Sequence, residues 1–462
     1  MKLIYNVNDR PKFPQLIVFA IQQLLAIMAA TLVVPVITNS TAGLSGKDAM
    51  SSAAALFGAG AGTLVYVLFT KRKSPVFLGS SFAFLGSMAA AFAGASTVAV
   101  GYAGLVLGAI FAGLVYVLIA TVVHFAGVNW INKLMPAVVI GPTVAIIGLS
   151  LAGNAISDLT TANAGGNTFV AILCGLVTLA VTMLCSVFGK KSGKLIPFIY
   201  GILAGYAVAA VFTAIGNASG QAWMKVIDFT KISVLWADGV KLTTFFSIPD
   251  FTFLHAFGGF SGISGSYIGT VAVAYVPVAF VVFAEHIADH KNISSIIEKD
   301  LLTDPGLSRT LLGDGVGSMV GAFFGGCPNT TYGESIGCVA ITGNASVATI
   351  IAAAVCAILI SFLSPFVAFV NSIPSCVMGG VCMALYGFIA VSGLKMVQKV
   401  DLDDNRNLFV VSVILIAGIG GLTVSFGDIT ITSIACALIL GILTNLLLKN
   451  KSTDQENDQK KD

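Results

Sequence analysis

The chain is a succession of long uncharged runs between residues 16 and 448, separated by short polar turns. A run of 18 or more residues is long enough to cross a hydrocarbon core roughly 30 Å thick. The runs are continuously apolar and do not alternate at every second position, so they predict helices and not the strands of a barrel. Their limits predict fourteen spans: 14–38, 49–69, 77–93, 100–123, 136–153, 167–188, 195–215, 267–289, 306–325, 328–343, 346–370, 373–394, 406–425 and 429–449. A long polar and aromatic stretch, 217–265, separates the seventh span from the eighth. Seven spans on each side of it would give the halves opposite topology, the arrangement of an inverted repeat. The expected organisation is therefore a first repeat over 14–215, an outer connection over 216–266, a second repeat over 267–449 and a cytoplasmic polar tail over 450–462.

Two segments break the pattern at matching places in the two halves. The third span opens with FLGSSF (77–82) and the tenth with PNTTYGE (328–334). Gly, Ser, Thr and Pro interrupt a helix there and leave only about ten residues for helix afterwards. Short, interrupted segments in corresponding positions are the best sequence pointer to a transporter's binding site. Irregular backbone at membrane depth persists only where protein or a water-filled cavity satisfies its polar groups. The bland alternative is a loop that is merely hydrophobic.

Composition sharpens this. The chain is 56% apolar and 10% charged, where a soluble protein carries about 25% charged residues, so an ordinary solvated surface is excluded. Twenty of the 24 Lys and Arg fall in the N-terminal arm, at 71–73, at Lys133, at 190–194, at 291–309, at 395–406 and from Lys449 onward; only Lys47, Lys225, Lys231 and Lys241 lie in the intervening loops. Positive-inside reasoning puts both termini in the cytoplasm of a plasma-membrane protein. Residues 16–36 are too long for the core of a cleavable signal peptide and read as the first span. The eight cysteines lie in or beside apolar segments without metal-ligand spacing, which makes them packing residues. No metal and no cofactor are expected.

Of the 21 acidic residues, four fall well inside spans: Glu285, Asp289, Asp314 and Glu334. A charge at the bilayer centre costs roughly 2.5 to 3.5 kcal/mol on insertion scales, so each is a candidate functional group. Glu285 and Asp289 are four residues apart, on one helical face. Their mutual repulsion makes the pair a candidate place for a titrating proton, although Asp289 could instead be an acidic helix end reaching the cytoplasm. Glu334 starts the helix after the Tyr332-Gly333 break, where unpaired N–H groups favour a carboxylate or a carbonyl ligand; its bland reading is a capping acid. Asp314, between Gly313 and Gly315, is either a support for the site or a packing residue. His124 and His255 read as interfacial. Gly58, Gly60 and Gly62 imitate a nucleotide fingerprint, but no strand precedes them and close helix packing is the better account.

These residues together make the chain resemble the nucleobase-ascorbate transporter family, the nucleobase:cation symporter-2 group, and within it the bacterial uracil permeases. The resemblance is carried by QQLLAIMAATLVVP (22–35), PVFLGSSFAF (75–84), AEH (284–286), DPGL (304–307) and PNTTYGESIGCVAIT (328–342), and it extends over about residues 10–450. It implies an all-α polytopic membrane protein of two inverted seven-span repeats. Core domains would cover 14–123 and 267–370 and gate domains 136–215 and 373–449, with short antiparallel strands opening spans 3 and 10. It further implies that Glu285 and Glu334 hold the nucleobase edge. Phe82 and Gly333 would offer backbone N–H groups, and Ala30 and Tyr332 would line the pocket. A carboxyl can accept from a ring N–H and, when protonated, donate to a neighbouring carbonyl, which suits the alternating edge of uracil.

Four positions depart from the uracil permeases' usual text. Asp289 stands where they commonly have His, and Asp314 where they have Asn; both match the xanthine and uric acid branch. Glu334 points the other way, since that branch usually has Gln. Ser335 replaces a usual Asn, and Gln23 replaces a frequent His. The expected function is proton-coupled import of uracil, with Asp289, Glu285 and Asp314 as the proton-coupling candidates. Xanthine, or both bases, is the alternative substrate. An anion transporter of the same architecture is disfavoured by carboxyls at the site, and a membrane enzyme by the lack of metal-ligand spacing, of a nucleophile with its base and of a phosphate loop. The expected partners are the nucleobase, protons and the lipid bilayer, with a homodimer through the gate domains left open and no nucleic acid.

Overall fold

The structure is a computed structural model that describes residues 3–127, 136–237, 239–426 and 429–448. Lys2, Lys133, Lys449 and the expected tail 450–462 lie outside the described residues. Among the described residues, eight helices are long and apolar enough to cross a membrane. The first half runs α1 (Phe13–Ala42), α2 (Ser52–Phe69), β1 (Leu78–Ser80), α3 (Leu85–Ala93), α4 (Val98–Ala126), α5 (Ala137–Ser150), α6 (Ala152–Leu159), α7 (Thr168–Phe188) and α8 (Pro197–Ser219). The second half runs α9 (Gly265–Ile297), α10 (Leu307–Gly325), β2 (Asn329–Thr331), α11 (Gly333–Thr342), α12 (Val347–Ile360), α13 (Ser375–Val397), α14 (Asn405–Ile419), β3 (Val424–Phe426), β4 (Ile429–Ile431) and α15 (Ser433–Leu447).

Each of the fourteen predicted segments contains helix, but several limits need correction. α9 runs two turns beyond residue 289, so Asp289 is not at a helix end. The segment predicted over 346–370 breaks after Ile360 and restarts at Ser364–Ser372, where Pro365 sits in the first turn, the one helical position that tolerates its missing N–H. The spans predicted over 406–425 and 429–449 give up their facing ends to an antiparallel hairpin, Val424 opposite Ile431 and Phe426 opposite Ile429. Gly421, at φ 71°, follows the end of α14, and the β-branched alternation on both sides favours strands over helix. The connection between the halves holds the short helices Thr230–Ala237, Leu242–Phe245 and Thr252–Gly259. It is tied to the break between α12 and α13 by Ser247 N–H donating to the Phe362 carbonyl at 2.9 Å.

The core is organised around close contact between α2 and α10. Gly313, Gly317, Gly321 and Gly325 recur every fourth residue and so line one face of α10. A Cβ at Gly58 would stand 2.5 Å from the Gly321 carbonyl oxygen, and one at Gly62 2.6 Å from that of Gly317. Bare backbones therefore touch, as the glycine spacing on α2 predicts. The Asn329 side chain fills the remaining space, donating from Nδ2 to the Gly58 carbonyl at 3.0 Å.

Against this pair lies the crossing of the two interrupted segments. β1 and β2 pair antiparallel, Leu78 with Thr331, Gly79 with Thr330 and Ser80 with Asn329. Thr63 of α2 caps the free side of β1, accepting from Leu78 N–H at 2.9 Å, while its hydroxyl donates to the Ala59 carbonyl at 2.7 Å and lies 3.2 Å from the Leu78 carbonyl. Backbone polar groups deep in an apolar body are thereby satisfied, which is the condition for non-helical chain at that depth. α3 and α11 have 9 and 10 residues.

Candidate functional site

α9 carries Glu285 and Asp289 past the start of α11, which carries Glu334. The Glu285 side chain is exposed while its neighbours Phe283, Ala284 and His286 are buried, so this face of α9 borders an opening into an otherwise packed body. Gly333 is also exposed, and a Cβ there would meet nothing within 4 Å. Glu334 and Phe82 are half-buried. Phe82 opens the single 3-10 turn before α3, and Gly333 opens α11. Backbone N–H groups at such positions have no acceptor within their own helix. The cleft thus collects two carboxyls and two helix starts, a set able to accept from ring N–H groups and to donate to carbonyls.

Tyr332 and Ala30 are 4% and 1% exposed, packed among their neighbours. The Tyr332 hydroxyl donates to the Ser80 carbonyl at 2.6 Å, tying β2 back to β1. Its ring lies over Gly79, where a Cβ would come 2.5 Å from Cζ. Gly79 is therefore required by close approach.

The remaining acids are held from behind. Asp289 Oδ2 accepts from the Thr331 hydroxyl at 2.7 Å. Asp314 is fully buried; its Oδ2 lies 2.7 Å from His286 Nδ1 and accepts from Thr330 at 3.4 Å, while Oδ1 has no hydrogen-bond partner among the described residues. His286 Nε2 lies 3.0 Å from the Thr310 hydroxyl, which donates to the Leu307 carbonyl at 3.0 Å. The imidazole is thus held at both nitrogens, by the Asp314 carboxyl on one side and the Thr310 hydroxyl on the other. The line continues away from the cleft: His290 stacks on His286 with centroids 4.0 Å apart, its Nδ1 donates to the His286 carbonyl at 2.8 Å, and its Nε2 meets Tyr66 at 2.7 Å.

A separate cavity of about 970 Å³ lies between α1, α8 and the connection between the halves. Met28, Leu32, Asp158 and Asp250 are among its lining residues, and the four acids of α9, α10 and α11 are not. The chemistry of the carboxyl cleft outweighs size here, because charged groups in an apolar body are retained for function.

A model described as a permease family matches residues 14–426. The chain belongs to that family. It is 37% identical to the uracil permease of Bacillus caldolyticus over 459 residues, covering 99% of this chain and 97% of the relative. With the uracil permease of Bacillus subtilis (strain 168) it shares 36% over 463 residues, 98% of this chain and 97% of that one. With that of Escherichia coli (strain K12) it shares 35% over 448 residues, 96% and 94% of the two chains. Among solved structures, the transmembrane domain of the cyanobacterial bicarbonate transporter BicA has a similar fold, with TM-score 0.61 and 13% identity over 95% of this chain and 99% of that one. The murine Solute Carrier 26 family member A9 anion transporter, inward-facing, gives TM-score 0.64 and 10% identity over 96% and 69% of the two chains. At that identity the likeness concerns the fold.

For this permease, sequence reasoning brought Glu285, Asp289, Glu334, Phe82 and Gly333 to one region, and the structure gathers them around the cleft and its supports. It also places Asp314 one layer further in, joined to His286. His255 hydrogen-bonds Asp250 at 2.9 Å and stacks on Tyr102, while His124 is exposed. Two contributors were missed. Thr331 was visible only as a helix breaker, although a Thr on a strand at membrane depth is itself a signal for a donor. Tyr386 of α13, whose ring meets Phe82 edge-on at 6.2 Å, is hidden in an apolar run. Among the described residues no cluster of three or more potential metal ligands occurs.

Proposed function

We propose that this permease imports uracil across the plasma membrane by proton symport. The observation that carries the reading is the interior cleft bordered by Glu285 and Glu334 together with the starts of the 3-10 turn at Phe82 and of α11 at Gly333. A planar base with alternating N–H and C=O groups is bracketed by such a set, while an anion is repelled by it. The names of the uracil permeases that resemble the chain over nearly its whole length support the same substrate. The fourteen segments act as two inverted repeats, with both termini cytoplasmic and the connection 217–265 outside. The core moves against the gate to expose the cleft to alternate sides.

Coupling resides in the acids behind the cleft. Symport needs a group whose proton affinity changes with occupancy, and linkage makes the relation reciprocal. Asp289 lies one turn from Glu285 and is held by Thr331, which belongs to the strand leading to Glu334. A base drawn between the carboxyls is thereby sensed by Asp289, with the hydrogen-bonded Asp314 and His286 beside it. Labelled uracil binding to purified protein, then competition of its uptake into proteoliposomes by xanthine, hypoxanthine and thymine, tests the substrate. Failure to bind uracil overturns the reading, and stronger competition by xanthine moves it to the purine branch that Asp289 and Asp314 resemble. Reporter fusions after Lys194 and after Lys231 should report opposite sides of the membrane.

A further inference from the structure

Ser335 follows Glu334 in the first turn of α11 and is fully buried. Its hydroxyl oxygen accepts from the Phe77 backbone N–H at 3.0 Å and from the side-chain amide of Gln23 on α1. The same Gln23 Nε2 reaches the Ser335 carbonyl oxygen at 3.3 Å, and Gln23 is itself only 2% exposed. Tyr332 N–H donates to the Phe77 carbonyl at 3.3 Å, so the bond from Phe77 to Ser335 extends the β1–β2 ladder by one side-chain rung. A single serine therefore joins α11, the entry to β1 and α1. Ser335 and Gln23 are also the two departures from the uracil permeases' usual text that had no evident reason. The fold brings them into contact across 312 positions of sequence.

The contact falls where the half-helix lacks its usual anchor. The N-cap of α11 is Tyr332, which makes no side-chain capping bond. Capping normally fixes the first turn by accepting from its orphan N–H groups. Successive helical residues are rotated by about 100°, so pinning Ser335 into the core fixes the direction in which the preceding residue leaves the backbone. That residue is Glu334. We infer that the Gln23–Ser335 pair is the positioning device for Glu334 and sets uracil affinity without touching uracil. This rests on Glu334 being a substrate carboxyl, as proposed above.

The test measures the dissociation constant of labelled uracil for purified protein, together with the ligand-free melting temperature. Gln23→Met removes the donor and keeps the shape, and Ser335→Ala removes the acceptor. Each should weaken uracil binding by about tenfold and raise KM for uptake with the maximal rate retained. The loss in the double variant should be smaller than the sum of the two single losses, because both remove the bond from Gln23 to the Ser335 hydroxyl, while each alone also removes one other, Gln23 to the Ser335 carbonyl or Phe77 N–H to the Ser335 hydroxyl. Gln23→Met leaves α11 untouched and carries the test alone if Ser335→Ala does not fold. A lowered melting temperature with unchanged affinity, or additive losses in the double variant, overturns the inference in favour of plain packing. Glu334→Gln in the same assay separates the two levels. Normal uracil binding by that variant removes the site reading and the inference with it; a large loss there with normal Gln23→Met removes the inference alone.

Discussion

In the third segment, β1 passes through the turn Phe82–Phe84 into α3, and residues 77–93 carry no ionisable side chain. In the tenth, β2 enters α11 with only Tyr332 between, and Asn329, Thr330, Thr331, Glu334 and Ser335 all carry polar groups. The backbones are near copies that pair with each other; the side chains are not. From the third segment the cleft receives a helix start, which needs only small residues and a clear approach. From the tenth it receives a carboxyl, and behind it hydroxyls that reach Asp289 and Asp314. On the function proposed above, paired backbone thus provides the frame, and one segment carries the recognition chemistry. Substitutions should therefore weigh much more on the tenth segment and its α9 partner than on the third.

The sharpest break in this asymmetry is Glu334→Gln, with Glu285→Gln as its counterpart on α9. Each keeps the shape and loses a charged acceptor, whose hydrogen bond is worth about 1.5 to 3 kcal/mol, or roughly 10- to 150-fold in affinity. Uptake of labelled uracil by cells should fall to background while the protein remains folded in the membrane. A variant that still concentrates uracil at the unmodified rate takes that carboxyl out of the site.

Asp289→Asn should divide binding from coupling. It keeps the bond from Thr331 available and removes the titrating group, so uracil binding and exchange in proteoliposomes should persist while accumulation driven by an inward proton gradient is lost. Asp289→His should restore part of that accumulation. If Asp289→Asn accumulates uracil normally and stays sensitive to a protonophore, the coupling proton belongs to Glu285 or to the Asp314–His286 pair.

How much of this was readable in advance follows from the kind of signal each feature leaves. Acids in apolar runs and closely spaced glycines survive as local text, so Glu285, Glu334 and close helix packing at Gly58, Gly60 and Gly62 were legible, while the partner helix α10 was not. The strands were implied by resemblance, because three residues each are too few for a period to show. The hairpin Val424–Phe426 and Ile429–Ile431 was hidden for the opposite reason, since its β-branched residues merge with the apolar runs around it. Contacts across hundreds of positions, such as Tyr66 with His290 and Gln23 with Ser335, leave no local trace at all.

A smaller effect is expected at Thr331. Thr331→Val keeps the volume and the strand but deletes the donor to Asp289. A side-chain hydrogen bond of this kind contributes about 1 kcal/mol, so gradient-driven accumulation should drop about fivefold, less than for Asp289→Asn. An equal loss in both would assign the whole role of Asp289 to that one bond.

The smallest effect belongs to the third segment. The Ser81 hydroxyl is buried without a hydrogen-bond partner among the described residues, while its backbone N–H donates to the Pro328 carbonyl at 2.8 Å. An unpaired buried hydroxyl opposes folding, and removing it leaves the backbone bond in place. Ser81→Ala should therefore transport within about twofold of the unmodified protein and melt at the same or a slightly higher temperature, and Ser80→Ala should likewise change uptake little. A tenfold loss of uracil affinity in Ser81→Ala would mean that its hydroxyl finds its partner in the substrate. In that event the third segment contributes side-chain recognition of its own, and the asymmetry between the two crossing segments disappears.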